Sequence, residues 1–479
     1  MGILSLFTSK KQSGMPALKL HNTLSGETER FEPLNGTVKM YNCGPTVYEE
    51  QHIGNLRGPL LANTLRKTLE VWGYPVKHVS NITDVGHLTG DNAGDADLGE
   101  DRMEASAKKR GVSAQEIAET ITQLYFNDLD SLGIDRGKIE FPRATAYIQE
   151  QIALVKTLEE KGYAYIIDDG VYFDTSKFAA YGKLGAINLG GQKDGARVEE
   201  NMQKKNAHDF ALWKFSPKRG ERQQEWQSPW GVGFPGWHIE CTAMIFTLLG
   251  KQIDIHLGGI DLVPIHHNNE IAQAEAATGK PFVRYWMHNA FITIEGKRLS
   301  KSQGNTIYLH QIIERGFSPM ALRYWYLTGH YRSPMNFTWE AIEGADTALK
   351  RLVRAYLETP EGGKPDATFL QEFYKAVAND LDTPKALALV WEHIKNLNQA
   401  TLAEADKVLG LGLDDTRPPQ KLAVVEQSDL PEDVQMLAKE REAARESKDF
   451  DKSDNLREQI EAQGYNIKDT PEGQKLSKK

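Results

Sequence analysis

Lys39-Met-Tyr-Asn-Cys-Gly-Pro-Thr-Val-Tyr-Glu-Glu-Gln-His-Ile-Gly-Asn55 carries the chain from the end of a strand, through a turn, to the start of a helix. Past it, Leu60-Leu-Ala-Asn-Thr-Leu-Arg-Lys-Thr-Leu-Glu-Val-Trp72 spaces its apolar residues as a helix does and stops at Gly73. Val76-Lys-His-Val-Ser-Asn-Ile-Thr83 then alternates as a strand. The result is a β-loop-α-β unit at the head of an α/β domain. A helix N-terminus with Gly54 for close backbone approach suits phosphate oxygens. The His52 imidazole adds a donor for charge developing on a phosphate, and the Asn55 amide can donate as well. Taken alone, this short pattern is also met in histidines that only pack in a core.

Downstream, strand Ile253-Asp-Ile-His256, loop Leu257-Gly-Gly-Ile-Asp261, helix 268–278 and a strand from Trp286 to Ile294 restore the α/β rhythm. Between the two halves lie amphipathic helices over 113–132 and 144–162, then short strands and polar loops over 164–235. This block reads as an insertion splitting a nucleotide-binding domain. The acidic, glycine-rich stretch 87–101 reads as a surface turn whose spacing fails the EF-hand pattern. From about 318 onward strand signals vanish and helices dominate. Pro360-Glu-Gly-Gly-Lys-Pro365 and the stretch from Asp414 to Asp429 are linkers. The tail has a charged helix, Pro431–Lys448, then a second short one.

A chain of 479 residues exceeds one compact core, so a large catalytic domain with helical additions is expected. No run of about 18 apolar residues is present, which excludes a membrane-spanning helix. Residues 1–14 fit neither a signal peptide nor, closely, a myristoylation pattern, and Met15 is a more natural start. Two cysteines give no disulfide framework, and a reduced cytoplasmic setting is expected. A net charge of −9 does not advertise a nucleic-acid binder, yet a local basic stripe on an acidic body suffices to hold phosphates.

Both cysteines sit in segments that carry chemistry. Cys43 lies in the opening stretch and Cys241 ends Gly236-Trp-His-Ile-Glu-Cys241; His266 and Glu270 follow at i, i+4, on one helical face. Two thiolates, an imidazole and a carboxylate make a complete zinc shell. The alternative is that both cysteines are small buried hydrophobes, and spacing alone does not separate His266 from His267 as ligand. Lys297-Arg-Leu-Ser-Lys-Ser-Gln-Gly-Asn305 is a basic loop able to wrap a triphosphate, with Ser300 and Ser302 as hydroxyls and Lys301 on the leaving pyrophosphate; by itself it also reads as a solvated turn. Asp261 follows a glycine turn where a ribose hydroxyl is met in an open α/β sheet, or else it caps that turn. Trp237 is a core aromatic or a wall of the substrate pocket.

In this order the pieces resemble the cysteinyl-tRNA synthetase family of class I aminoacyl-tRNA synthetases, from about residue 16 to 475. The resemblance is carried by Tyr41-Asn-Cys-Gly-Pro-Thr-Val-Tyr48, His52-Ile-Gly-Asn55, Pro235-Gly-Trp-His-Ile-Glu-Cys241, His266-His-Asn-Asn-Glu270-Ile-Ala-Gln and Leu299-Ser-Lys-Ser302. Gly329-His-Tyr-Arg-Ser-Pro334, Asn379-Asp-Leu-Asp-Thr-Pro384 and Ile467-Lys-Asp-Thr-Pro-Glu-Gly473 add to it. It implies an α/β fold: a class I Rossmann-like parallel-sheet catalytic domain with an inserted α+β connective block, a C-terminal all-α helical domain and a small anticodon-binding tail. The implied boundaries are a tail over 1–14, a catalytic domain over 15–317 with its insertion at about 125–235, a stem-contact region over 318–345, a helical bundle over 346–428 and an anticodon-binding domain over 429–479.

The resemblance further implies ATP-dependent ligation of L-cysteine to tRNA(Cys) through a cysteinyl-adenylate, by a cytoplasmic monomer. One zinc ion per chain would be held by Cys43, Cys241, His266 and Glu270, with the substrate thiolate as an added ligand, and Mg2+ would accompany ATP. Cys43, Gly44, Thr83 and Trp237 would line the cysteine pocket. His52, Asn55 and Lys301 would be catalytic, and Gly54, Asp261, Ser300 and Ser302 would join them in holding ATP.

Departures from the family pattern are Asn55 for its usual histidine, Arg298-Leu299 for Lys-Met, and Asn268 for an acidic residue, which is expected to alter the surroundings of the metal. The stretch 84–101 is longer than its counterpart, and the tail lacks a late tryptophan near Gln474. Two other readings are a cysteine ligase for an amino sugar, of the mycothiol type, and a non-catalytic zinc protein that binds RNA. The helical region and tail argue against the first, and the retained His52, Gly54, Ser300 and Lys301 against the second.

Overall fold

The fold is that of a computed structural model, which describes residues 14–85, 88, 101–185, 202–216, 218, 220, 222–298, 305–359, 362–413, 424–425, 431–447, 449–463, 465–470 and 473–478. The chain divides into two compact units, one of residues 1–309 with 319–414 and one of residues 310–318 with 415–479.

The first unit opens with a hairpin, β1 (Lys19–Asn22) and β2 (Glu27–Arg30), and continues through β3 (Val38–Asn42), α1 (Ile53–Val71) and β4 (Val76–Ser80). Helices α2 (Arg102–Arg110) and α3 (Ala114–Ser131), strand β5 (Ile139–Glu140) and helix α4 (Ile148–Glu160) follow. The insertion supplies β6 (Ala164–Ile167), β7 (Gly170–Phe173), β8 (Phe210–Phe215), β9 (Trp226–Ser228) and β10 (Gly231–Pro235). The chain returns through α5 (Trp237–Leu248), β11 (Ile253–Gly259), α6 (Asn268–Thr278) and β12 (Val283–Asn289).

The central sheet has the order β12-β11-β3-β4-β5, and every neighbouring pair is parallel. Strand order reverses between β3 and β11, so the crevice beyond their C-terminal ends is where an open α/β sheet binds ligands. Beneath it, Tyr41, Val79, Cys241, Ile245, Ile271 and Trp286 pack in one buried cluster. The insertion has its own five-stranded sheet, β6-β7-β8-β10-β9, whose Phe173 and Trp213 share a core with Val155 of α4 and Ile239 of α5.

Past β12 come β13 (Ile292–Ile294), β14 (Lys297–Arg298), α7 (Leu309–Glu314), α8 (Pro319–Leu327), β15 (Met335–Phe337), α9 (Trp339–Glu358), α10 (Ala367–Ala378), α11 (Thr383–His393) and α12 (Gln399–Leu409). The buried Arg323 of α8 donates to Asn63 Oδ1 of α1 and to the carbonyls of Leu132 and Leu409, at 2.9, 2.9 and 3.0 Å. One guanidinium thus ties the helical part to the sheet's first helix. The second unit adds β16 (Val424–Val425), α13 (Glu432–Glu446), α14 (Phe450–Ala462), β17 (Tyr465–Thr470) and β18 (Gly473–Lys478). Val434, Ala438, Ile460, Tyr465, Ile467 and Leu476 form its core.

Several elements differ from the sequence reading. The expected strand from Trp286 to Ile294 is two strands in different sheets, β12 in the central one and β13 in a small sheet with β14 and β15. Strands also persist after 318, as β15 and as the β17–β18 hairpin. Those segments are short: β15 (Met-Asn-Phe) and β17 (Tyr-Asn-Ile-Lys-Asp-Thr) alternate over only two apolar residues each, too brief a pattern to mark a strand in sequence. Helix α2, read only as sequence beyond the 87–101 loop, is capped by Asp101 and closed by Gly111 in a left-handed conformation. Leu88 and Asp101 form an antiparallel bridge, while the rest of that loop lies outside the described residues.

Candidate active site and metal centre

His52 is the N-cap of α1, and its Nδ1 accepts from the Asn55 backbone N–H at 3.2 Å. Asn55 returns the bond, its Oδ1 accepting from the His52 backbone at 3.2 Å. This reciprocal cap gives Asn55 a local reason, and it leaves the Nδ2 group as what Asn55 offers a ligand. The segment at Ile307 and Tyr308 closes on the same turn. The Ile53 N–H donates to the Ile307 carbonyl at 2.8 Å, and His52 and Tyr308 pair as a bridge. The segment just after the basic loop is therefore anchored beside His52. Leu299, Ser300, Lys301 and Ser302 themselves lie outside the described residues.

Four elements converge at the crevice. Cys43 follows β3, Thr83 lies three residues past β4, Cys241 stands within α5, and His266 and Glu270 flank the junction of a π-helical turn (Val263–His267) with α6. Cys241 was expected only at the end of a segment; the structure places it in a helix that begins at Trp237. Ligand atoms of Cys43, Cys241, His266 and Glu270 all lie within 4.8 Å of one another, so the four fit a single small cation. Cys43, His256, His267 and Glu270 meet the same condition.

The Glu270 carboxylate separates the two sets. Its Oε1 faces His266 Nε2 at 2.9 Å and Cys43 Sγ at 3.9 Å. Its Oε2 is held by His256 Nε2 at 2.8 Å, from β11. His256 thus secures the far oxygen, as outer partners of metal-binding carboxylates do. Cys241 belongs to the first set alone, and a second thiolate makes that set the softer one.

The electrostatics follow from burial. Burial would lower the His266 pKa, but Glu270 and the Cys241 sulfur lift it to about 10. Burial would raise Glu270, but His256 and His266 hold it down at about 2. The bond from Cys43 and the neighbouring His266 hold the Cys241 thiol near about 6, whereas burial and that same bond push Cys43 well up. Burial and the surrounding histidines keep His267 well below the usual imidazole range; its Nδ1 meets His288 Nε2 at 2.7 Å.

Around this centre, Trp237 is half-buried with its ring 4.4 Å from that of His266. The Thr83 hydroxyl is buried and donates to Glu240 Oε2 at 3.0 Å. Gly44 directly follows Cys43. Asp261 is exposed just beyond β11, and a Cβ on Gly259 would lie 2.3 Å from its Oδ1, so only glycine lets the carboxylate fold back there. Gly54 occupies the first turn of α1.

Asn268, expected to alter the surroundings of the metal, turns elsewhere. Its Oδ1 accepts from Leu184 N at 3.1 Å, and its Nδ2 donates to the carbonyls of Leu184 and Val263 at 3.1 and 2.8 Å. It clamps the insertion to α6 instead. Gln474, where a tryptophan was missed, receives a bond from Arg441 at 3.0 Å within the second unit. Sequence reading passed over His256, Glu240 and Asn81, whose roles depend on register. The His256 that closes strand Ile253-Asp-Ile-His256 was the one available signal.

The profile of the class I (C) tRNA synthetase catalytic domain matches residues 30–347, and that of the cysteinyl-tRNA ligase anticodon binding domain matches residues 427–475. The chain is 47% identical to cysteine–tRNA ligase 1 of Burkholderia lata over 466 residues, covering 96% of each. It is 42% identical to the cysteine–tRNA ligase of Thermus thermophilus, over 95% of this chain and 98% of that one. Among solved structures, Mycobacterium tuberculosis methionyl-tRNA synthetase bound by methionyl-adenylate superposes with a TM-score of 0.53 at 13% identity, covering 78% of this chain and 88% of that one, a likeness of fold. With a parallel sheet of this order, a crevice lined as described and relatives matched from end to end, the chain belongs to the class I (C) tRNA synthetases, in the family of cysteine–tRNA ligases.

Proposed function

We propose that the protein activates L-cysteine with ATP, releasing pyrophosphate, and transfers the cysteinyl group from the adenylate to the 3′ end of tRNA(Cys). The observation that carries this reading is the set Cys43, Cys241, His266 and Glu270, with ligand atoms within 4.8 Å of one another in the crevice beside Thr83 and Trp237. We assign these four to one zinc ion. Zinc supplies a soft centre for the substrate thiolate that the harder, far less acidic hydroxyl of serine cannot match. Discrimination made this way needs no editing site.

The other roles follow from position. The substrate carboxylate attacks the α-phosphorus, and His52, with the Asn55 amide at the same helix start, donates to the charge that develops there. Lys301 neutralises the departing pyrophosphate, with Ser300 and Ser302 on phosphate oxygens and Mg2+ accompanying ATP. The anchoring of Ile307 and Tyr308 beside His52 and Ile53 supports this, because it brings one flank of that loop to the helix start. Asp261 takes the ribose, Gly54 gives the backbone close access, and Gly44, Thr83 and Trp237 line the amino-acid pocket. Residues 15–317 form the catalytic domain, 318–345 contact the acceptor stem, 346–428 bundle, and 429–479 read the anticodon of a tRNA bound by a monomer.

The test is charging of a tRNA(Cys) transcript with labelled cysteine and ATP, with zinc assayed on the same sample. Charging with about one zinc per chain is expected. Adenylate formation without charging would instead favour a small-molecule cysteine ligase.

A further inference from the structure

We propose that Asn81 is a positioning residue that fixes the metal-binding Cys43 and the pocket hydroxyl of Thr83 in one geometry, and so sets how sharply the site separates a thiol from a hydroxyl. The inference deepens the zinc reading above and rests on it.

Asn81 sits one residue past β4 and is buried, with 1% of its surface exposed. Its amide works at both ends. Oδ1 accepts from the Gly44 N–H at 2.7 Å, and Nδ2 donates to Thr83 Oγ1 at 2.9 Å. Thr83 in turn donates to Glu240 Oε2 at 3.0 Å. Through Thr83, the Asn81 amide therefore links the residue after Cys43 to the residue before Cys241, in addition to the direct hydrogen bond between the two sulfurs.

The backbone closes on the same point. Thr83 N donates to Pro45 O at 3.0 Å and Val47 N to Thr83 O at 3.1 Å. A Cβ on Gly44 would lie 1.7 Å from the Asn81 carbonyl oxygen, so the Cys43–Gly44 backbone is pressed directly onto Asn81. Thr83 is 2% exposed and Glu240 is fully buried, so no water replaces a partner that is removed. The amide acts on the metal and on the substrate through separate atoms, and that separation makes the idea testable.

Asn81→Asp keeps an acceptor for Gly44 N but has no donor for Thr83. Asn81→Leu keeps the volume and neither bond. On the full chain, zinc affinity is measured by chelator competition, the thiolate-to-metal absorption is followed after cobalt substitution, and pyrophosphate exchange is run with cysteine and with serine. Asn81→Leu is expected to weaken zinc by about 10- to 100-fold, to shift the cobalt bands and to lower the cysteine-over-serine ratio of kcat/KM. Asn81→Asp is expected to retain the cobalt bands while the KM for cysteine rises more than kcat falls. Unchanged zinc affinity and cobalt bands in Asn81→Leu would overturn the inference. Should that variant fail to fold, an unchanged KM for cysteine in Asn81→Asp overturns it as well. A wild-type chain that holds no zinc removes the zinc reading itself, and with it this proposal.

Discussion

Cys241 stands in a helix turn whose side chains are almost wholly buried, and its sulfur is held low in pKa by Cys43 and His266. Replacing that sulfur with a hydroxyl preserves shape but leaves a hard donor that does not ionise. Cys241→Ser is expected to weaken zinc by about 10-fold or more and to erode cysteine-over-serine selectivity in adenylate formation with it. Full selectivity in a zinc-free variant would show that the metal is not the discriminator. Lys301→Ala addresses the other half of the chemistry: adenylate formation should fall by about 10²- to 10³-fold with zinc content unchanged. Loss of zinc alongside would assign the lysine to folding. At this scale the sequence was readable where residues are chemically rare. Two cysteines in 479 residues, each beside a histidine or glycine signature, are conspicuous. His256 and Asn81 were not, because a histidine within one strand and an asparagine just after another carry no mark of their own in sequence. Their meaning lies in what faces them, Glu270 Oε2 in one case and Gly44 N in the other.

Helix α1 is held in register by Arg57, which donates to the carbonyls of Ala290, Phe291, His330 and Ser333 at 2.7, 3.1, 3.0 and 2.8 Å. A lysine cannot span four acceptors, and a methionine leaves all of them unpaired. Arg57→Met is therefore expected to cost on the order of 3 kcal/mol of stability and to slow adenylate formation, because the helix that His52 caps loses its tie to the connection between β12 and β13. Urea unfolding and pyrophosphate exchange check the two effects. Strand β4 makes a different prediction. Burial, with nearby Arg66 adding to it, drops the pKa of His78 from 6.5 to about 3. Below pH 6.5 the unfolded chain takes up a proton that the native state refuses, so stability is lost as pH falls toward 3. That single group accounts for on the order of 5 kcal/mol across the window. His78→Gln should flatten the acid limb of the urea midpoint plotted against pH, and an unaltered limb would contradict the assignment. The β-loop-α-β unit, the helix over 268–278 and the insertion's two amphipathic helices were legible because their apolar residues repeat. Helix α5 was not, since Trp-His-Ile-Glu-Cys has no such period and every residue from His238 to Ile245 is buried. Nor could periodicity show that Val283–Asn289 and Ile292–Ile294 pair in different sheets.

The second unit has its own core, in which Val434 and Ala438 of α13 meet Ile460 of α14 and Tyr465, Ile467 and Leu476 of the hairpin. Arg441 is buried there and bonds Gln474, which also donates to the Ala438 carbonyl, so the hairpin and α13 hold each other. Every residue assigned to adenylate formation lies instead in the first unit. Net charge gave no hint of this division, because −9 is one sum over both units. The linker composition after Asp414 did, through its prolines and acids. Chemistry and RNA reading should therefore come apart when the chain is cut. A chain ending at Leu413 is expected to make cysteinyl-adenylate within a few-fold of the full protein while charging of tRNA(Cys) collapses. The loss should sit mainly in the KM for tRNA, since the removed surface is the one proposed to bind the nucleic acid and carries none of the residues assigned to the reacting atoms. In the full chain that KM should climb with salt, as phosphate contacts exchange for counterions, whereas the KM for cysteine, which on the proposed reading is set by coordination in a buried pocket, should stay nearly flat. A truncated chain that charges as well as the full one would take anticodon recognition away from residues 429–479.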